Sequence, residues 1–314
     1  MQSPDSLVVI LATGGTIAGR ASSRTDTVGY EAGAIGVEAL IADVPELAAH
    51  RLEAETVASI DSKDMDFATW QRLALRVAAH LVRPEVHGVV VTHGTDTLEE
   101  TAWFLQRVLA PAKPVVLTAA MRPATAVSAD GPAHLLDAVR LAQASGVRGV
   151  SLMFAGAAWH PLGLRKVHTL QGNAFAASDC GPIARVEGGV LRVFRDWPSG
   201  APLGLRCIAS DPAAWPAVEI VLNHAGADGR LVDAAVAAGV RGLVVAGTGH
   251  GSLSQRLQAA VDRARAAGVA VRRASRCAFG PVLPAPAEPA GEAAGELSAV
   301  QARVELLLSL LARA

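Results

Sequence analysis

Short apolar runs alternate with helix-period segments along the first half of this chain, and no other feature restricts its fold as much. Strand-like runs at 7–12, 53–58, 88–92, 114–118 and 148–154 are separated, in most cases, by helical patterns at 36–42, 66–82, 98–109 and 133–144. Strands joined through helices run parallel, and helices then cover the sheet they form. The run Val89, Val90, Val91 lacks polar alternation, as a strand buried on both faces requires. After 155 the pattern loosens. The stretch "RDWPSGAPLGLRCIASDPAAWP" at 195–216 is rich in Pro and Gly, carries no clear period, and reads as a linker. Beyond it, strands near 218–222, 242–246 and 269–273 and helices near 230–238, 253–267 and 298–312 make a second set. The expected fold class is α/β with two domains. A larger N-terminal domain over 1–194 has a mainly parallel sheet with helices on both faces; a linker at 195–216 leads to a smaller C-terminal α/β domain over 217–314. A length of 314 residues agrees with two domains of roughly 100–200 residues each.

Charge and composition narrow the partners. The formal net charge is −1 and no long block of like charge occurs, so neither nucleic acid nor an anionic membrane is favoured. A small neutral or zwitterionic ligand fits better. No apolar stretch approaches the roughly 18 residues of a membrane span, and "MQSPDSLVVILATGG" has neither a basic leader region nor a cleavage-like site. The expected location is therefore cytoplasmic. Cys180, Cys207 and Cys277 lack metal-type spacing and are expected to be buried free thiols, with no metal site and no cofactor. Lysine is scarce: Lys63, Lys113 and Lys166 stand among 28 basic residues, the rest arginine. A lysine can lose its proton when desolvated and an arginine in practice cannot, which draws attention to these three positions.

In open α/β sheets the ligand crevice lies beyond the carboxyl ends of the strands. Four successive strands deliver polar residues there: Thr13 and Thr16 in "LATGGTIAG", Asp61, Ser62 and Lys63 in "SIDSKDM", Thr95 and Asp96 in "THGTDT", Thr118 and Arg122 in "LTAAMRP". Thr97 with Glu100 reads as a capping box, and Thr95 or Asp96 could equally cap the helix that follows. One such cluster is explained by capping; four at one edge are better explained by a site. The turns "ATGGTIAG" and "VAGTGHGS" lack the full signature of a P-loop or dinucleotide fingerprint. A hydrolase uses the residues more completely. A threonine hydroxyl on a glycine-flanked turn attacks a carbonyl once a base takes its proton, and backbone N–H groups hold the oxyanion.

"TGGTIAG", "THGTDTLEET" at 92–101 and "AAMRPATAVSADGP" at 119–132 resemble the signature segments of the bacterial-type L-asparaginases, which include glutaminase-asparaginases. The resemblance runs from about residue 7 to about 310. It implies an amidohydrolase converting L-asparagine to L-aspartate and ammonia through a threonine acyl-enzyme. Dual glutaminase-asparaginase activity, or a non-catalytic amino-acid-binding protein of the same fold, are the alternatives. By resemblance Thr16 is the nucleophile, Tyr30 in "TVGYEAGAIG" the loop tyrosine that activates it, and Thr95 the second catalytic threonine. Asp96 matches the aspartate that binds the α-ammonium, Lys166 the lysine paired with the Thr–Asp unit, and Ser62 the residue that holds the α-carboxylate. His93 reads as a structural histidine. The segment from Gly19 to Gly33 reads as a lid.

Two positions depart from the family pattern. Lys63 stands where a glutamine or glutamate usually helps bind the ammonium, and His250 where the family often has Asn or a small residue. The resemblance further implies a homotetramer of two intimate dimers, with a glutamate donated by a neighbouring chain: Glu288, with Glu292 in reserve.

Overall fold

The computed structural model describes residues 6–177, 179–286 and 289–313. The chain divides into two compact units. One takes in Met1–Pro161, Lys166–Ala177 and Gly181–Leu205; the other takes in Leu162–Arg165, Ser178–Cys180 and Arg206–Ala314.

In the first unit β1 (Leu7–Gly14) leads to two short strands, β2 (Arg20–Ala21) and β3 (Tyr30–Glu31), and then α1 (Val37–Ala42). There follow β4 (Leu52–Ile60), α2 (Phe67–Leu81), β5 (Val86–Thr92), α3 (Leu98–Leu109), β6 (Pro114–Thr118), α4 (Gly131–Gln143) and β7 (Gly149–Phe154). Then come β8 (Ala157–Trp159), β9 (Leu164–Lys166), of which Lys166 belongs to this unit, β10 (Phe175–Ala177), β11 (Ala184–Glu187) and β12 (Val190–Val193). The main sheet has the order β12-β11-β8-β7-β6-β5-β1-β4. Strands β4, β1, β5, β6 and β7 are parallel, while β8, β11 and β12 extend the β7 edge antiparallel.

Burial of both faces explains why the parallel strands read as unbroken apolar runs. Val8, Ile10, Val90 and Val116 form one core with Val37, Val44 and Leu47 around α1 and with Leu135, Ala138 and Val139 of α4. The alternate residues Val9, Leu11, Val89 and Val91 are also fully buried, and face the side on which α2 and α3 pack. Helix α2 shows the local logic. Asp66 caps it by accepting from Thr69 N at 2.7 Å, and Trp70, Leu73, Ala74 and Val77 fall on its buried face.

The strand order sets where a ligand can sit. From β1 the chain crosses to β4, then returns past β1 to β5 and continues outward, so the direction of winding reverses between β1 and β5. Such a switch point opens a crevice at the carboxyl ends of those two strands. One crossover is unusual. The connections β1 to β4 and β6 to β7 travel in opposite directions with α1 and α4 on the same face, so they have opposite hands. Because α2 and α3 advance in the direction of α4 but on the other face, the α4 crossover is the left-handed one, against a strong general preference.

The second unit contains β13 (Val218–Leu222), α5 (Arg230–Ala237), β14 (Gly242–Gly247), α6 (Gln255–Ala266), β15 (Ala270–Ser275) and α7 (Ala299–Leu311). Its three strands are parallel in the order β13-β14-β15. Val232, Leu257, Ala260 and Val261 from α5 and α6 close a core over Leu243, Val245 and Val271. A capping box between Ser298 and Gln301 starts α7.

The cysteines correct an expectation. All three are free thiols, but Cys180 and Cys277 are exposed and Cys207 is half-buried, because they lie in turns or a short 3-10 segment and not on an apolar face.

Candidate active site

Three adjacent strands, β4, β1 and β5, end in turns that carry the hydroxyls. After β1, Gly14 and Gly15 take positive φ values of 98° and 81°, which free the chain to turn sharply into a 3-10 segment beginning at Thr16. After β5, Thr92 leads to His93, Gly94 and Thr95 before α3 starts. The two turns touch through their glycines: a Cβ on Gly15 would stand 2.4 Å from both Cα and N of Gly94. Thr16 and Thr95 thus each follow directly on this backbone contact.

Each threonine has its own polar partner. Thr16 Oγ1 shares a 2.6 Å hydrogen bond with the Tyr30 hydroxyl. Lys166 Nζ donates to Thr95 Oγ1 at 2.8 Å and to Asp96 Oδ1 at 2.7 Å. Both threonines are buried, while the Asp96 side chain is 51% exposed and is the charge most open to solvent in this group. Glu99 in the first turn of α3 accepts from the Lys166 backbone N–H at 3.1 Å, which fixes the strand end that carries the lysine.

Ser62 joins the third turn to the other two. Asp96 N donates to Ser62 Oγ at 3.2 Å, and Thr97 Oγ1 donates to the Ser62 carbonyl at 2.7 Å. The second bond overturns the capping-box reading. Thr97 occupies the N-cap position of α3 but its side chain makes no cap hydrogen bond; the hydroxyl is instead turned to the carbonyl of a residue 35 positions away.

The segment from Gly19 to Gly33 is a small hairpin in which Ala21 pairs with Tyr30 and Arg20 with Glu31. A Cβ on Gly19 would lie 2.9 Å from Tyr30 Cδ2, so glycine lets the ring pass. The loop between β6 and α4 braces this hairpin. Ala124 N donates to Gly19 O at 3.1 Å, Ala21 N to Thr125 Oγ1 at 2.9 Å, and Val127 N to Arg24 O at 3.0 Å. Asp130 holds that loop by accepting from Met121 N and Arg122 N, both at 3.0 Å.

The remaining residues singled out from the sequence lie elsewhere. Thr13 and Thr118 donate their hydroxyls to the carbonyls of Thr92 and Met153 inside the sheet. Arg122 is exposed and reaches Ser128 O. Lys63 follows Ser62, but its ammonium pairs with Asp64 Oδ2 at 2.6 Å and Asp61 Oδ2 at 3.2 Å, and these two carboxylates hold its pKa above the ordinary lysine range. In the second unit, His250 Nε2 accepts from Leu283 N at 2.8 Å. Glu288 lies outside the described residues. Glu292 is buried and both its oxygens accept from Arg265, at 3.1 and 2.6 Å, so its carboxylate is already committed within the unit. Sequence reasoning missed Glu99, Thr125 and Asp130. Only Asp130 carried a signal, as a residue before the Gly-Pro that opens α4.

Among the described residues there is no helix long and apolar enough to cross a membrane, and no group of three or more His, Cys, Asp or Glu side chains that could hold a metal ion.

The chain is similar to known proteins along nearly its whole length. Residues 7–199 match the family described as Asparaginase, N-terminal, and residues 217–313 match the Glutaminase/Asparaginase C-terminal domain. The chain is 36% identical over 313 residues to L-asparaginase 2 of Bacillus subtilis, covering 96% of this chain and 81% of that protein. It is 36% identical to the glutaminase-asparaginase of Acinetobacter glutaminasificans, covering 96% and 94%. A crystal structure of a probable cytoplasmic L-asparaginase from Campylobacter jejuni superposes with a TM-score of 0.90 at 35% identity, over 97% of this chain and 95% of that one. With both of its domains matched and relatives at this identity along nearly its whole length, the chain belongs to the asparaginase family.

Proposed function

We propose that this protein is a cytoplasmic L-asparaginase that converts L-asparagine to L-aspartate and ammonia through an acyl-enzyme on Thr16. One observation carries the reading. Two buried threonine hydroxyls follow directly on one backbone contact, and each has a separate proton-handling partner, Tyr30 for Thr16 and Lys166 with Asp96 for Thr95. Thr16 Oγ1 attacks the side-chain amide carbon as its proton passes to the Tyr30 oxygen 2.6 Å away and the phenol's own proton moves on to the amide nitrogen. Collapse of the tetrahedral intermediate expels the amide nitrogen, which leaves with that proton as ammonia. Water, oriented at Thr95 by the Lys166 and Asp96 charges, then attacks the threonyl ester, and aspartate departs as Thr16 regains its proton. Ser62 and the backbone amides at the start of α3 suit an α-carboxylate, and the exposed carboxylate of Asp96 suits an α-ammonium.

The assembly follows the same reading. We infer a homotetramer of intimate dimers in which Glu288 of one chain supplies a second carboxylate to its neighbour's site.

Ammonia release from L-asparagine and from L-glutamine, measured side by side with wild type and Thr16→Ala, tests the activity. Wild type releases ammonia from asparagine and the variant does not. Comparable rates on both amino acids identify a glutaminase-asparaginase, and binding without ammonia from either identifies a binding protein.

A further inference from the structure

His93 takes no part in the chemistry above, yet it is fully buried beside the turn that carries Thr95. Its two ring nitrogens are both used. Nδ1 lies 2.7 Å from the Gly94 carbonyl and Nε2 lies 3.0 Å from Thr101 Oγ1. Thr101 in turn accepts from Trp70 Nε1 at 2.9 Å. The direction of every proton follows. A carbonyl only accepts, so Nδ1 carries a hydrogen; an indole only donates, so Thr101 receives from Trp70 and passes its own proton to a bare Nε2. The relay reads Trp70 N–H to Thr101 O–H to His93 to Gly94 C=O. It agrees with burial, which pushes His93 down to about 4 and keeps the ring neutral.

The same glycine explains why such a relay is needed. A Cβ on Gly94 would stand 2.4 Å from Ser62 Oγ, so only glycine allows the β4 and β5 turns to meet. Glycine also leaves the Gly94–Thr95 peptide without side-chain restraint against flipping. In a trans peptide the Gly94 C=O and Thr95 N–H point opposite ways, so anchoring the carbonyl to a buried ring directs the Thr95 amide away from that ring.

We propose that His93 is a positioning residue for the reaction inferred above: as the neutral Nδ1–H tautomer, set by Trp70 and Thr101, it locks the Gly94–Thr95 peptide and so holds Thr95 in its reactive orientation. Four charged groups on the flanking helices have partners away from His93. On α2, Arg72 donates to Val57 O and Arg76 to Glu55, while on α3 Glu99 receives Lys166 N and Arg107 lies over the Trp103 ring. The groups that set the state of His93 are its burial and the Gly94 carbonyl.

Two substitutions separate positioning from packing. In His93→Asn the side-chain amide nitrogen occupies the place of Nδ1 and still donates to Gly94 O; in His93→Gln it reaches the place of Nε2 and does not. His93→Asn is expected to keep kcat within about threefold of wild type, and His93→Gln to lose about tenfold or more with little change in KM, the cost of one lost hydrogen bond. Equal kcat in two folded variants of equal thermal stability overturns the proposal. Nitrogen-15 spectra of histidine-labelled wild type give a readout that needs neither substrate nor substitution. His93 is expected to remain the Nδ1–H tautomer from about pH 8 down to about pH 5, whereas an ordinary histidine titrates in that range. An Nε2–H ring, or titration near the ordinary histidine value, also overturns it. Failure of the asparaginase reading alone leaves these spectra as stated.

Discussion

Gly15 and Gly94 meet backbone to backbone, with room for no Cβ on Gly15. Gly15 also has φ of 81° and its virtual Cβ meets backbone atoms, which cannot rotate away. Gly15→Ala is therefore expected to lower stability by about 2 kcal/mol or more, from left-handed strain and overlap together. A Cβ on Gly94 would meet the Ser62 side chain first, at both Oγ and Cβ, with Gly15 Cα farther off at 3.2 Å, and Gly94 is not among the glycines with positive φ. Gly94→Ala should cost less stability and raise KM through a displaced Ser62. Urea midpoints and steady-state kinetics on both variants check the contrast; a larger KM effect in Gly15→Ala at unchanged stability would contradict it.

Tyr30→Phe removes the hydroxyl 2.6 Å from Thr16 and leaves the ring that packs by Gly19. Loss of kcat by about 10²–10⁴-fold with unchanged melting is expected for a hydroxyl that relays the proton. Thr16→Ala should abolish the covalent intermediate in quenched mass spectra, and Thr95→Val should slow turnover while preserving the fold. Turnover like that of wild type in any of them removes that residue from the mechanism.

Hydrogen exchange reports on the hairpin from Gly19 to Gly33. Its ladder is two residue pairs long and it is otherwise braced by the 119–130 loop, so local opening should be inexpensive. Amides of this segment are expected to slow when aspartate binds, as a closing lid requires. Equal exchange with and without aspartate rejects the lid.

Burial of His93 carries a pH signature. Its folded pKa of about 4 lies below the unfolded value near 6.5, so between these the unfolded chain binds a proton the native state does not. Stability present above pH 6.5 is lost as pH falls towards 4, by up to about 3 kcal/mol. His93→Gln should flatten that part of the curve, since a glutamine takes up no proton. An unchanged slope in urea titrations between these pH values would show that His93 does not contribute.

The parallel core was legible because β1, β5 and β6 are buried on both faces and leave an unbroken apolar record. β8, β11 and β12 were not, since they are three or four residues long and alternate with exposed Arg185, Glu187 and Arg192. The hydroxyls at the strand ends were legible for a similar reason: β-strands with apolar bodies make any polar turn stand out. What fixes those hydroxyls is non-local. Glu99 reaches the Lys166 backbone and Thr97 the Ser62 carbonyl, across 67 and 35 positions, and no spacing rule connects such pairs. Thr97 does stand at the N-cap position, but a local pattern carries no sign that its side chain turns to the Ser62 carbonyl instead of the helix amides.

Lys63 tests how far a departure from the family pattern matters. A cation directly after Ser62 would repel a substrate ammonium if it faced it, but here it lies between Asp61 and Asp64 with its side chain 60% exposed. Exposed pairs of this kind are weak and screened by salt, so the pairing neutralises the charge more than it immobilises the chain. Lys63→Gln in the native background should therefore change KM for asparagine by only about twofold or less, because the charge it removes is already compensated. Asp64→Asn removes the nearer carboxylate and should raise KM for asparagine at low ionic strength, with recovery as salt is added. Combining Asp64→Asn with Lys63→Gln should restore KM, since no lysine charge remains to be released. An analogue without the α-amino group supplies the control: its KM should follow none of these changes. A rise in KM for Asp64→Asn that persists with Lys63→Gln would assign the effect to the aspartate itself and not to the cation it holds.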